Sequence, residues 1–124
     1  MHALIVDDDG FIREVARLSL ELTGGWAVSL AESGTDGIDQ ARTLAPDVIL
    51  LDVMMPGIDG VETMRSLAGD PATRDIPVIF LTAATLPCEQ HRIDAAGALG
   101  VIAKPFDPLS LAHEVEVLLG TAPR

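Results

Sequence analysis

Hydrophobic positions along the chain follow two rhythms that take turns. Short unbroken apolar runs read as strands buried on both faces, and between them apolar residues recur every three or four positions, as on one face of a helix. Residues 3–6 form the first run, which stops abruptly at Asp7-Asp8-Asp9-Gly10. A helix follows with Ile12, Val15, Ala16 and Leu20 on one face, Arg13, Glu14, Arg17 and Glu21 mostly on another, and Gly24-Gly25 as its stop. Residues 26–31 read as the second strand. Ser33 and Asp36 resemble a capping box opening a second helix that carries Ile38, Ala41 and Leu44 and is closed by Pro46. Residues 48–51 are the most apolar run of the chain and again stop at an acid, Asp52. Pro56-Gly57 makes a turn, a third helix carries Val61, Met64, Leu67 and Ala68, and residues 69–77 break any regular pattern. The fourth strand, 78–81, ends at Thr82. A weaker, alanine-rich helix spans 87–96, and Gly97 and Gly100 bracket the turn into a short fifth strand, 101–103, which Lys104-Pro105 ends. Asp107 suits an N-cap with Pro108 at the first helical position, and Leu111, Val115, Leu118 and Leu119 form the buried stripe of the last helix.

Five strands alternating with five helices argue for an α/β fold: a parallel sheet covered by helices on each side, joined by right-handed crossovers. The 124 residues fall within one compact domain. Residues 1–120 are read as that domain and 121–124 as a tail or the start of a linker. A formal net charge of −11, from 19 acidic against 8 basic side chains, disfavours a nucleic-acid footprint or an anionic membrane surface, since both need clustered Lys and Arg. Cys88, the single cysteine, can make no intramolecular disulfide and no zinc site by itself, which suits the cytoplasm. No apolar run is long enough to span a bilayer, and the first residues turn acidic too soon for a signal peptide.

Chemistry is concentrated at one edge. In an open parallel sheet, ligands bind outside the carboxyl ends of the strands. Asp7, Asp8 and Asp9 follow the first strand, Asp52 ends the third, Thr82 ends the fourth and Lys104 follows the fifth. Carboxylates brought this close repel one another unless a cation is supplied. Mg²⁺ suits a site with a few carboxylates and room for water and phosphate oxygens, whereas Ca²⁺ asks for more protein oxygens than these residues offer. With the acids neutralised, one carboxylate can act as nucleophile toward a phosphoryl group. Asp52, following the most buried strand, is the best placed, with Thr82 and Lys104 able to bind phosphoryl oxygens.

These residues resemble the receiver domains of two-component response regulators. The resemblance covers nearly the whole chain and rests on Asp7-Asp8 after an apolar strand, Asp52 in LLDVMMPGIDG, Thr82-Ala83 after PVIFL, and Lys104-Pro105-Phe106. It implies a flavodoxin-like (βα)5 fold with strand order 2-1-3-4-5 and a cis bond before Pro105. It further implies that Asp52 is the phosphoacceptor, that Asp8 binds Mg²⁺ directly and Asp7 through water, and that the backbone carbonyl of Met54 completes the protein's share of the coordination. Thr82 and Lys104 would sense the phosphoryl group. The implied partners are a sensor histidine kinase or histidine phosphotransfer protein, and a downstream protein reading the surface of helix four, strand five and helix five. Such a domain is a regulatory phosphoacceptor that catalyses only its own phosphorylation and dephosphorylation. Many receivers place an aromatic residue three positions before the lysine as part of the switch; here that residue is Val101.

Two other readings compete. LIVDDDGF comes close to the strand-plus-DxDG pattern of haloacid-dehalogenase-like phosphatases, with Asp7 as nucleophile and Asp9 as acid/base, although Phe11 stands where those enzymes usually have Thr or Val. A degenerate receiver, acting only as an interaction module, is the third. Among the remaining residues, Asp9 reads as a solvated turn acid just outside the pair, Asp59-Gly60 as turn and helix-start chemistry, and Trp26 as packing. Cys88 reads as an inert thiol and His2, His91 and His113 as surface residues. Phe11 is a docking contact for the phosphodonor by analogy. Met54 and Met55 offer a flanking apolar side chain that either covers the acyl phosphate or fills a gap, and Met54 with Ala84 offers no polar group to hold an attacking water, so the Asp52 phosphate is expected to be long-lived.

Overall fold

The computed structural model describes residues 1–83 and 87–120, with side chains for all of these except 87–89. The expectations about Ala84, the Cys88 thiol and residues 121–124 lie outside the described residues. The chain runs β1 (His2–Val6), α1 (Gly10–Gly24), β2 (Ala27–Ala31), α2 (Gly34–Leu44), β3 (Val48–Asp52), α3 (Gly60–Ala68), β4 (Val78–Thr82), α4 (Pro87–Ala95), β5 (Gly100–Ala103) and α5 (Leu111–Leu119). Its strands pair in parallel in the order β2-β1-β3-β4-β5, the order that the resemblance implied.

The period of two along each strand divides the core in half. Leu4, Val6, Ile49, Leu51, Val78 and Phe80 face one way and pack with Ala41, Val61, Leu67 and Ile93 from α2, α3 and α4. Ala3, Ile5, Val48, Leu50, Ile79 and Leu81 face the other and pack with Ala16, Leu20, Leu111 and Val115 from α1 and α5. At the centre of the sheet both faces are therefore dry, which is why the central strands β3 and β4 are buried at every position and carry no alternating polar residues. Burial of a Leu, Ile or Phe side chain contributes roughly 1.5–3 kcal/mol, so these layers dominate the stability of the domain.

Element ends follow local chemistry. Gly25 stops α1 in the left-handed conformation (φ 67°), where a side chain would be strained. Ser33 caps α2 by accepting from the Asp36 amide at 3.1 Å, and Asp59 caps α3 by accepting from Glu62 at 2.9 Å. Trp26 precedes β2 instead of opening it; its ring is buried and its Nε1 donates to Glu116 on α5 at 3.3 Å. The start of the last helix differs from the expectation. Asp107 accepts from the Leu109 amide through its side chain and from Ser110 and Leu111 through its carbonyl, so it caps a separate turn over 107–110, and α5 begins only at Leu111. Ser19, buried in α1, donates to the carbonyl of Pro108 and ties that turn to α1. Leu44 closes α2 on its exposed side and does not join the core.

Candidate functional site

Parallel register brings the predicted site together. Val6 pairs with Leu51 and Leu51 with Phe80, so β1 and β3 end side by side and release Asp7 and Asp52 at the same level. Thr82 pairs with Ala103, and the Lys104 amide donates to the Thr82 carbonyl at 2.9 Å, which carries the ladder to the residue before the cis Lys104–Pro105 bond. Asp7 is fully buried, Asp52 is 3% exposed and Asp8 is open to solvent. One carboxylate oxygen from each of Asp7, Asp8 and Asp52 lies within 4.8 Å of the other two. These three acids, with Asp9, Met54, Ala83 and Lys104, line a recess of about 250 Å³.

The lysine crosses this recess. Its Nζ lies 2.7 Å from Asp7 Oδ2 and 3.2 Å from Asp52 Oδ1. Burial works against the ammonium, but the bonds and charges of Asp7 and Asp52 prevail and hold its pKa above the ordinary lysine value. For Asp52 the balance goes the other way. Burial and then the neighbouring charge of Asp7 push its carboxyl from an ordinary 3.8 up to about 6, against the pull of Lys104 and of the Met54 amide, which donates to Oδ1 at 3.3 Å. Three carboxylates facing one ammonium leave an excess of negative charge in the recess. That donor set, oxygen only and half buried, fits a small hard divalent cation.

Each predicted site residue falls at this edge except Val101, which sits on β5 with its side chain 47% exposed, one strand away from Phe80 and pointing away from the acids. Met54 is 55% exposed over the recess while Met55 is buried in the core, which separates the two methionines that the sequence left equivalent. Phe11 projects into solvent at the start of α1, next to the acids.

The sequence reading missed three contributors. Asp9 is the N-cap of α1, not merely a solvated turn acid: Oδ1 accepts from the Phe11 and Ile12 amides at 2.9 and 3.3 Å, and its own amide donates to Asp7 Oδ1 at 2.9 Å. The signal was an acid two residues before the first apolar helical position. Gly60 packs on the backbone just after the acceptor; its amide donates to the Val53 carbonyl at 2.9 Å, and a Cβ there would collide with the Asp52 carbonyl oxygen and stand 2.6 Å from Val53 Cα. Arg13, read as part of the polar face of the first helix, donates through Nη1 to the Asp7 carbonyl at 2.7 Å.

Comparison with known proteins agrees with this geometry. The family model described as the response regulator receiver domain matches residues 3–116. The transcriptional regulatory protein CseB of Streptomyces coelicolor is 39% identical over 118 residues, 95% of this chain and 49% of that protein. The response regulator MprA of Mycobacterium tuberculosis is 39% identical over 119 residues, 96% of this chain and 50% of its own length. This chain thus spans about half the length of these curated relatives. Among solved structures, the chemotaxis protein CheY4 of Vibrio cholerae superposes with a TM-score of 0.86 at 30% identity, covering 94% of this chain and 97% of that one. Sequence pattern, sheet order and family match agree: the chain belongs to the response regulator receiver domains of two-component signalling.

Proposed function

We propose that this receiver accepts a phosphoryl group on Asp52 from a phosphohistidine of a sensor kinase or phosphotransfer protein, and signals through protein contacts. The observation that carries the reading is the convergence of Asp7, Asp8, Asp52 and Lys104, from three separate strand ends, on one recess, with Thr82 ending the strand between β3 and β5. Asp8, Asp52 and the Met54 carbonyl would hold Mg²⁺ directly, with Asp7 acting through water. Bound there, Mg²⁺ supplies positive charge to the acids and to the phosphoryl oxygens.

The nucleophile is the Asp52 carboxylate. Its pKa, raised to about 6 by burial and by Asp7, still lies below neutral pH, so the carboxylate form prevails there. An Asp52 oxygen bonds to phosphorus as the phosphorus–nitrogen bond of the donor imidazole breaks and its electron pair returns to the ring. Lys104, already 3.2 Å from Asp52, turns its ammonium to a phosphoryl oxygen, and the Thr82 hydroxyl at the end of β4 donates to another. Drawing these two side chains inward pulls on β4 and β5 and biases the surface of α4, β5 and α5 between two packings. With Val101 in place of an aromatic, that shift travels through the backbone of β5 and not through a rotating ring. Phe11 serves as the docking contact beside the acceptor.

Output concerns a protein surface for these 124 residues, whose charge of −11 disfavours nucleic acid. Among the described residues no helix is long and apolar enough to cross a membrane, and we assign the domain to the cytoplasm. The test is incubation with Mg²⁺ and a phosphoramidate donor, followed by intact mass and mapping of the label. One added phosphoryl group, lost in Asp52→Asn and on chelation, is the expected result. No adduct with any donor sinks the reading and leaves the interaction-module alternative. Slow loss of the label is expected too, since Met54 presents no oxygen or nitrogen in its side chain to an attacking water.

A further inference from the structure

Arg13 stands among acids and ignores them. Asp7, Asp8, Asp9 and Glu14 all lie within six residues of it in sequence, yet among the described residues its guanidinium makes no ion pair; Glu14 pairs with Arg17 instead. Its partner is an uncharged oxygen, the carbonyl of Asp7, at 2.7 Å. That carbonyl belongs to a residue with no exposed surface, at the point where β1 has left its ladder. The Asp7 amide is satisfied by Ala31 at 3.1 Å, whereas the carbonyl finds its donor, among the described residues, in Arg13. A buried carbonyl without a donor is costly, so this bond fixes the peptide plane between Asp7 and Asp8.

The surroundings are shaped to allow it. Gly10, the first residue of α1, has no Cβ, and one placed there would stand 3.3 Å from Arg13 Nη2, closer than an unforced contact. The guanidinium thus folds back over the helix start across bare backbone. On the other side of the same peptide unit, the Asp9 amide holds Asp7 Oδ1 at 2.9 Å. The acid pair is clamped from two directions, through the carbonyl by Arg13 and through the carboxylate by Asp9.

We propose that Arg13 is a positioning residue of the acid recess: its bond to the Asp7 carbonyl sets the direction in which Asp7 and Asp8 present their carboxylates to a divalent cation. The inference rests on the reading of Asp7, Asp8 and Asp52 as a Mg²⁺ site. It makes a prediction opposite to a purely electrostatic role. If Arg13 acted only through its charge, removing that charge beside three acids would tighten cation binding, and lysine would serve as well as arginine. As a positioning residue it carries a planar fork that neither glutamine nor lysine reproduces, and partners of this kind typically hold at least about ten-fold in metal affinity.

The experiment is calorimetric titration of Mg²⁺ into the full chain, as wild type, Arg13→Gln, Arg13→Lys, Gly10→Ala and Asp8→Ala. We expect both Arg13 variants to bind about ten-fold more weakly than wild type and Gly10→Ala to fall between, since its methyl displaces the guanidinium only slightly. Amide exchange in metal-free protein supplies a second readout: the Asp9 amide should exchange faster in Arg13→Lys while Phe80, in the central strand, keeps its protection. Arg13→Gln binding Mg²⁺ as tightly as wild type or more so, or Asp9 exchange unchanged in Arg13→Lys, overturns the proposal. Wild type binding no better than Asp8→Ala overturns the metal-site reading instead, and the inference with it.

Discussion

Replacing Asp52 with asparagine should make the cation-free protein more stable. An acid normally gains stability from folding when its pKa falls; this one rises from an ordinary 3.8 to about 6, because it is buried beside Asp7. Between those two values the folded state binds more protons at this position than the unfolded state does, so stability falls as the pH rises through that window and stays low above it. The difference corresponds to about 3 kcal/mol at neutral pH. Asparagine removes the charge and keeps an oxygen for the Met54 amide, but it also takes one of two carboxylate partners from Lys104. The net gain expected is therefore smaller, about 1–2 kcal/mol. Urea unfolding with a chelator present, followed through the buried Trp26 and through circular dichroism, measures it directly. The variant should lead wild type at pH 7.5, and the lead should shrink toward pH 4.5 as the wild-type carboxyl takes up its proton. An Asp52→Asn protein no more stable than wild type at pH 7.5, or a lead that does not change with pH, refutes the assignment of strain to this carboxylate.

Three further outcomes follow from the packing around the site. Gly60→Ala sets a methyl against the Asp52 and Val53 backbone, which cannot yield as a side-chain tip would, and should cost at least about 2 kcal/mol in urea unfolding while also lowering the yield of labelled Asp52. Asp9→Ala leaves two amides of α1 without their acceptor and should cost about 1 kcal/mol by the same measurement. Phe80→Ala, in the fully buried β4, should cost about 3–5 kcal/mol and lower the melting temperature more than any of the surface ion-pair variants, such as Arg92→Gln, which breaks a bond to Asp59 worth under about 1 kcal/mol.

The inner strands β1, β3 and β4 were legible because they are buried on both sides. A run such as Val48-Ile49-Leu50-Leu51 admits no polar residue, so the acids that follow β1 and end β3 announced both the boundary and the site. What stayed illegible depends on contacts made across the fold. Asp107-Pro108 carries every local sign of a helix start, yet α5 begins only at Leu111, and the turn before it is tied to α1 by Ser19, 89 residues away. Residues 69–77 looked irregular, but Thr73 is buried there with its hydroxyl donating to the Leu67 carbonyl at 2.7 Å, a bond that no local pattern announces. Arg13 was hidden for a different reason. It occupies a position where an exposed helix wants a charge, and only the placement of the Asp7 carbonyl shows that its guanidinium is turned inward.

Lys104 meets Asp7 across 97 residues of chain. The recess is thus built from the two ends of the sequence, and Asp52 leaves a ribosome more than fifty residues before the ammonium that completes its surroundings. Contacts this distant form late, because the loop they close must be ordered first. Until β5 docks against β4, a nascent or truncated chain carries Asp7 and Asp52 without their lysine and cannot hold a phosphoryl group in the way proposed. Under the proposed function, completion of the acid recess therefore waits on the docking of β5 against β4.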